Sequence, residues 1–174
     1  MLFSAELSPR CRPDQIAAHS RTLEDCGFHR IWVRDMFVVP WELWTAATTV
    51  ALSTERVRIG VDVTNPYTRS PVVTAHAAAT VDNISGGRLD LGVGRGISEF
   101  LDDMLPRLPI QVLEDIGMEK EWVSREELLD SFAVCGPRGL IEKAKRLEGL
   151  GVSEIILEYF ALEDLQDLRA IIKK

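Results

Sequence analysis

The sequence predicts an α/β protein in which a mainly parallel sheet is covered by helices, and three observations carry that expectation. Short apolar runs alternate with longer segments of helical spacing, glycines close several of those segments, and 46% apolar against 27% charged residues over 174 positions is ordinary for a buried core.

The elements follow in order. Residues 2–7 form an apolar run, a first strand. Residues 13–26 carry Ile16, Ala17, Leu23 and Cys26 at helical spacing before Gly27 stops them. The pattern repeats with a strand at 30–33 and a helix at 41–52, then a strand at 57–64 and a helix at 71–84. A fourth strand, 89–93, runs into the glycines of Gly92-Val93-Gly94-Arg95-Gly96. Further on, 132–135 reads as a strand, 140–150 as a helix closed by Gly151, 155–159 as the last strand and 161–172 as an amphipathic helix. Between 97 and 131 the rhythm breaks: Pro106 and Pro109 interrupt it and acidic residues accumulate, so this stretch is expected to be an irregular connector within a single 1–174 domain. Six parallel strands with outer helices fall two short of an eight-unit barrel, which typically needs about 250 residues. The fold class expected is therefore an incomplete TIM-type (β/α) barrel.

Composition removes several function classes. The 27 acidic residues outnumber the 20 basic ones and give a net charge of -7. A nucleic-acid binder needs a basic face, and none is present in the sequence. No stretch approaches the ~20 apolar residues of a membrane span, and the first residues lack the pattern of a signal peptide. Cys11, Cys26 and Cys135 share no metal-like spacing and read as reduced thiols, so a cytoplasmic location is expected. His19, His29 and His76 are scattered over different elements and form no metal triad. No nucleophile motif such as G-x-S-x-G occurs.

Several runs together carry a resemblance. Gly27-Phe28 leads to Trp32-Val33-Arg34-Asp35. Thr54-Glu55-Arg56-Val57-Arg58-Ile59-Gly60 precedes Val63-Thr64-Asn65-Pro66-Tyr67-Thr68-Arg69-Ser70-Pro71. Ser85-Gly86-Gly87-Arg88 stands before Leu91-Gly92-Val93-Gly94. With these runs the chain resembles the luciferase-like monooxygenase superfamily, in the branch of the F420-dependent methylenetetrahydromethanopterin reductases. The likeness covers about residues 3–104, with a weaker stretch at 128–159. It implies a (β/α) barrel without its fifth and sixth units, an oxidoreductase moving hydride between coenzyme F420 (alternatively FMN) and a small organic substrate, and a homodimer with Trp41 and Trp44 among its contacts. It also implies a non-prolyl cis peptide at the end of the third strand, which the match places at Asp62-Val63.

In such a barrel the working groups stand at the C-terminal ends of strands. Glu6 and Asp35, on neighbouring strands, are candidate proton-handling groups if both carboxylates share a partly dry pocket, where one would be pushed toward neutral pH. The alternative is that both are solvated rim residues. Asp62, Val63, Thr64 and Asn65 are candidate cofactor contacts, although Asn65-Pro66 is also a turn signal. Gly94 and Arg95 belong to a glycine-rich loop whose backbone amides suit an anion, though it lacks the G-x-G-x-x-G spacing of a dinucleotide fold. Gly136-Pro137-Arg138 is a second anion candidate. Arg88, at a strand start, is expected to anchor the turn Ser85-Gly86-Gly87. Met36 stands where many relatives have His, and Ile97 where the reductases tend to have an acid. With the missing units, these departures carry an alternative reading, a shortened non-catalytic relative acting as a cofactor-binding or structural partner.

Overall fold

The computed structural model describes residues 1–36, 39–94 and 136–157. Five parallel strands form one sheet, β1 (Leu2–Glu6), β2 (Arg30–Val33), β3 (Arg58–Thr64), β4 (Leu89–Val93) and β5 (Glu154–Leu157), in the order β4-β3-β2-β1-β5. Helices α1 (Ile16–Cys26), α2 (Leu43–Ser53), α3 (Pro71–Ser85) and α4 (Gly136–Gly149) alternate with them, and a 3-10 turn, Pro13–Gln15, leads into α1. This is the expected α/β alternation, and the sheet is not closed into a barrel. The strand expected at 132–135, the helix at 161–172 and the connector at 97–131 lie outside the described residues.

Local chemistry explains the boundaries. Gly27 closes α1 at φ 94°, donating its N–H back to the last turn, and Gly86 closes α3 at φ 72°, both in the left-handed region that glycine enters at little cost. Helix α2 starts two residues later than expected because Glu42 caps it, its Oε2 accepting the Thr45 N–H at 2.9 Å. Helix α4 starts four residues earlier than expected, at Gly136, since Pro137 is compatible with a first turn.

Strand alternation sorts the sheet into two faces. Ala5, Ile31, Val33, Ile59 and Val61 point one way and pack with Leu23, Leu43, Ala47 and Val50 of the helices, all essentially excluded from solvent. Register puts Ile31 beside Ala5 and Ile59, and Val33 beside Val61, so this apolar layer is continuous across the three central strands.

The opposite face is polar. Arg30, on the central strand, donates to Asp90 of β4 at 2.8 Å and to both carboxylate oxygens of Glu154 of β5 at 2.6 and 2.5 Å. Arg58 holds Asp90 with a bidentate pair at 2.6 and 2.5 Å, and Ser4 donates to Glu154. One network thus reaches from one outer strand to the other. Above it the Trp32 ring lies 4.8 Å from the Arg30 guanidinium carbon, over Gly60, where an added Cβ would stand 2.2 Å from the ring. The Asp62-Val63 peptide is cis and falls within the register shift between β3 and β4.

Candidate functional site

The C-terminal ends of β2 and β3 converge on one set of charges. The Asp35 side chain, 7% exposed, accepts the Thr64 hydroxyl at 2.8 Å and the Arg69 guanidinium at 2.5 Å. A second arm of Arg69 reaches Glu42 at 2.9 Å, so a single arginine joins the end of β2 to the cap of α2. Burial opposes ionisation of Glu42, but the N–H groups of Thr45 and Trp44 and the nearby Arg69 outweigh it and hold this carboxyl below its usual range. Burial likewise works against the charged form of Arg69, and its bonds to Asp35 and Glu42 reverse that and raise its pKa.

A cavity of about 370 Å³ opens beside this cluster, bounded by Asp35, Met36, Trp41, Glu42, Leu43 and Arg69 among others. Trp41 is 8% exposed, and its buried indole N–H has no hydrogen-bond partner among the described residues. Trp44 packs against the same core, so both tryptophans of α2's entry face inward rather than forming an outer stripe.

Glu6 and Asp35 do not pair with each other. Glu6, 4% exposed at the end of β1, is held by Arg34, while Asp35 is held by Arg69. Glu6 is in register with Trp32, and Arg34 and Asp35 follow the end of β2 at Val33, where the first reaches Glu6 and the second Arg69. Each carboxylate meets a guanidinium instead of a like charge.

The other candidates fall as follows. Thr64 is fully buried; besides its hydroxyl bond to Asp35, its carbonyl accepts the Gly94 N–H at 3.0 Å. That N–H is engaged in strand pairing. An added Cβ there would stand 3.0 Å from the Val63 side chain, a close approach that glycine avoids. Asn65 turns its Oδ1 to the N–H groups of Tyr67 and Thr68, both at 3.0 Å, so the turn reading holds for its oxygen. Asp62 and Val63 are half-buried on the last stretch of β3. Arg95 and Cys135 lie outside the described residues.

Sequence reasoning missed Arg34, Glu42 and Arg69 as site-building residues. A signal for Arg69 was present: a cation one position before the N-cap Ser70 opposes the helix dipole, so it is expected to turn toward acidic partners.

Comparison with known proteins agrees with this architecture. The sequence profile of the luciferase-like monooxygenases matches residues 3–106. The 5,10-methylenetetrahydromethanopterin reductase of Methanopyrus kandleri is 36% identical over 142 residues, covering 78% of this chain and 40% of that protein. The F420-dependent glucose-6-phosphate dehydrogenase of Amycolatopsis mediterranei is 38% identical over 94 residues, covering 48% and 28%. Among solved structures, the coenzyme F420-dependent tetrahydromethanopterin reductase from Methanopyrus kandleri superposes with a TM-score of 0.55 at 38% identity, over 59% of this chain and 29% of that one. The chain spans less than half the length of each of these relatives. A family profile that matches 104 of its 174 residues makes this chain a member of the luciferase-like monooxygenase family.

Proposed function

We propose that the chain is an oxidoreductase that transfers hydride between coenzyme F420 and a small organic substrate. The observation that carries this reading is the Asp35–Thr64–Arg69 cluster beside a cavity at the strand ends, on a chain similar to proteins named as F420-dependent reductases and dehydrogenases. The residues suit such a cofactor. A deazaflavin ring presents carbonyl oxygens and ring nitrogens as acceptors. Asn65 Nδ2, which makes no hydrogen bond in the described residues, is a donor near the end of β3.

When bound, the deazaflavin supplies the hydride chemistry. In this reading Asp62, Val63, Thr64 and Asn65 contact the ring, Gly94 gives close passage beside Val63, and Arg95 serves the phosphate end. Arg69 holds Asp35 in place, and Glu6 or Asp35 handles the proton. The reading includes a homodimer, for which the exposed Val72 and Val73 of α3 and Leu91 and Val93 of β4 offer apolar surface. It also includes a cytoplasmic location, which suits the buried free thiols of Cys11 and Cys26. No helix among the described residues is long and apolar enough to cross a membrane.

Titration of the protein with F420 and, separately, with FMN tests the assignment. Saturable F420 binding tighter than FMN is expected, and Asp35→Asn should weaken it about tenfold, the scale of one charge-assisted hydrogen bond. Absence of saturable binding up to high micromolar F420 overturns the reading.

A further inference from the structure

We propose that the uncharged outer face of α2 and α3 seats a second copy of this chain, and that this pairing and the Arg69–Glu42 contact favour each other. This rests on the homodimer of the oxidoreductase reading, and gives that dimer a face and a link to the site. Helix α2 carries no ionisable side chain, and α3 carries two, His76 and Asp82, of which Asp82 turns its Oδ1 to the Leu89 N–H. The flanking helices differ. Arg21, Glu24 and Asp25 stand on α1, and Glu142, Lys145 and Arg146 on α4. Helices α2 and α3 pack side by side, and Leu52, Val72 and Val73 on them are 73%, 78% and 56% exposed, with the exposed Ala75 and Ala79 at helical spacing from Val72. Charge decides the occupant. Two chains of -7 repel wherever charged surfaces meet, and a neutral face is where a second copy approaches without that cost. A partner chosen by opposite charge would find only His76 here. Exposed valine and leucine beside alanines, whose small side chains allow close helix approach, suit a contact of like with like across a two-fold axis.

The same face begins at the site. Glu42 caps α2 and Arg69 stands one position before the N-cap Ser70 of α3, so their 2.9 Å contact sets how the N-terminal ends of the two helices stand to each other. Val72 and Val73 follow in the first turn of α3. A second copy bearing on both helices fixes the same arrangement. Contact and pairing therefore act on one degree of freedom, and what strengthens one strengthens the other.

Sedimentation of the whole chain over a range of concentrations tests this. A dimer is expected, whose dissociation constant rises about tenfold or more with Val73→Glu or Val72→Glu and is unchanged by Ala18→Glu at an exposed position of α1. Raising the ionic strength should tighten the pairing, because salt screens repulsion between the chains and an uncharged face offers no ion pair to lose. Arg69→Met and Glu42→Gln, whose amide oxygen can still cap α2, should each weaken pairing about threefold with an unchanged circular dichroism spectrum, the milder Glu42→Gln deciding if Arg69→Met fails to fold. A monomer up to about 100 μM, a dimer indifferent to both valine substitutions, a dimer loosened by salt, or one indifferent to loss of the Arg69–Glu42 contact overturns the proposal. F420 titration of the same sample keeps the two conclusions apart. F420 binding by a monomer defeats only this inference, and a dimer with these properties that binds no F420 defeats only the cofactor assignment.

Discussion

Single side chains hold the loops at the lower end of the sheet. Glu24, on α1, accepts the N–H groups of Glu55, Arg56 and Val57 at 3.0, 2.6 and 2.8 Å, tying α1 to the loop before β3. Arg88, just before β4, does the same, donating to the carbonyls of Ser85, Val57, Ala51 and Thr54 and to the Thr54 hydroxyl. The expected anchoring of the turn at Ser85 is thus one of several tasks for this residue. Arg88→Ala would leave those acceptors without a partner, and chemical denaturation is expected to record a loss of about 3 kcal/mol or more. At Gly60, by contrast, the cost is steric. Gly60→Ala drives a methyl into the Trp32 ring and should cost about 1–3 kcal/mol by the same measurement. Cys11 gives a chemical readout. Burial, aided by Asp14, pushes its thiol up to about 11, so its alkylation at pH 8 should be slow in the folded protein and rapid in denaturant.

At the level of elements, the Arg30–Asp90–Arg58–Glu154 network is sensitive to acid. The bond from Arg58, with help from Arg30, outweighs burial and holds Asp90 below its usual range. At Glu154 burial opposes ionisation, but the bonds from Ser4 and Arg30 prevail and lower it too. Carboxyls lowered in the folded state contribute stability that is complete above their unfolded pKa values, about 3.9 and 4.3, and is lost as pH falls through the folded values. Denaturation midpoints should therefore stay flat from pH 7 to 5 and fall steeply below pH 4, and Arg30→Met should flatten that fall. The elements themselves were legible from apolar period and glycine stops, because those features act locally. The network was not, since Arg30 finds Asp90 and Glu154 through sheet order, with separations of 60 and 124 residues that no local pattern encodes. The partners of Glu6 and Asp35 were hidden for a related reason: strand adjacency could be inferred, but which of two consecutive residues shares a face depends on register.

For the whole molecule, the described sheet has β4 and β5 as its outer strands, and β5 closes onto β1 through register from Leu2–Glu154 to Ala5–Leu157. That pairing fixes an order in time. At a synthesis rate of about 5–20 residues per second, Glu154 follows Arg30 out of the ribosome roughly 6–25 s later, given the 124 residues between them. During that interval β1 through β4 and their helices can assemble, while the free edge of β1 stays bare and one side of the Arg30 guanidinium has only water. A nascent chain stalled before residue 150 is expected to leave the β1 edge open to proteolysis, and synthesis through residue 157 should protect residues 2–5. Among the described strands, β1 is the one that waits longest for a neighbour.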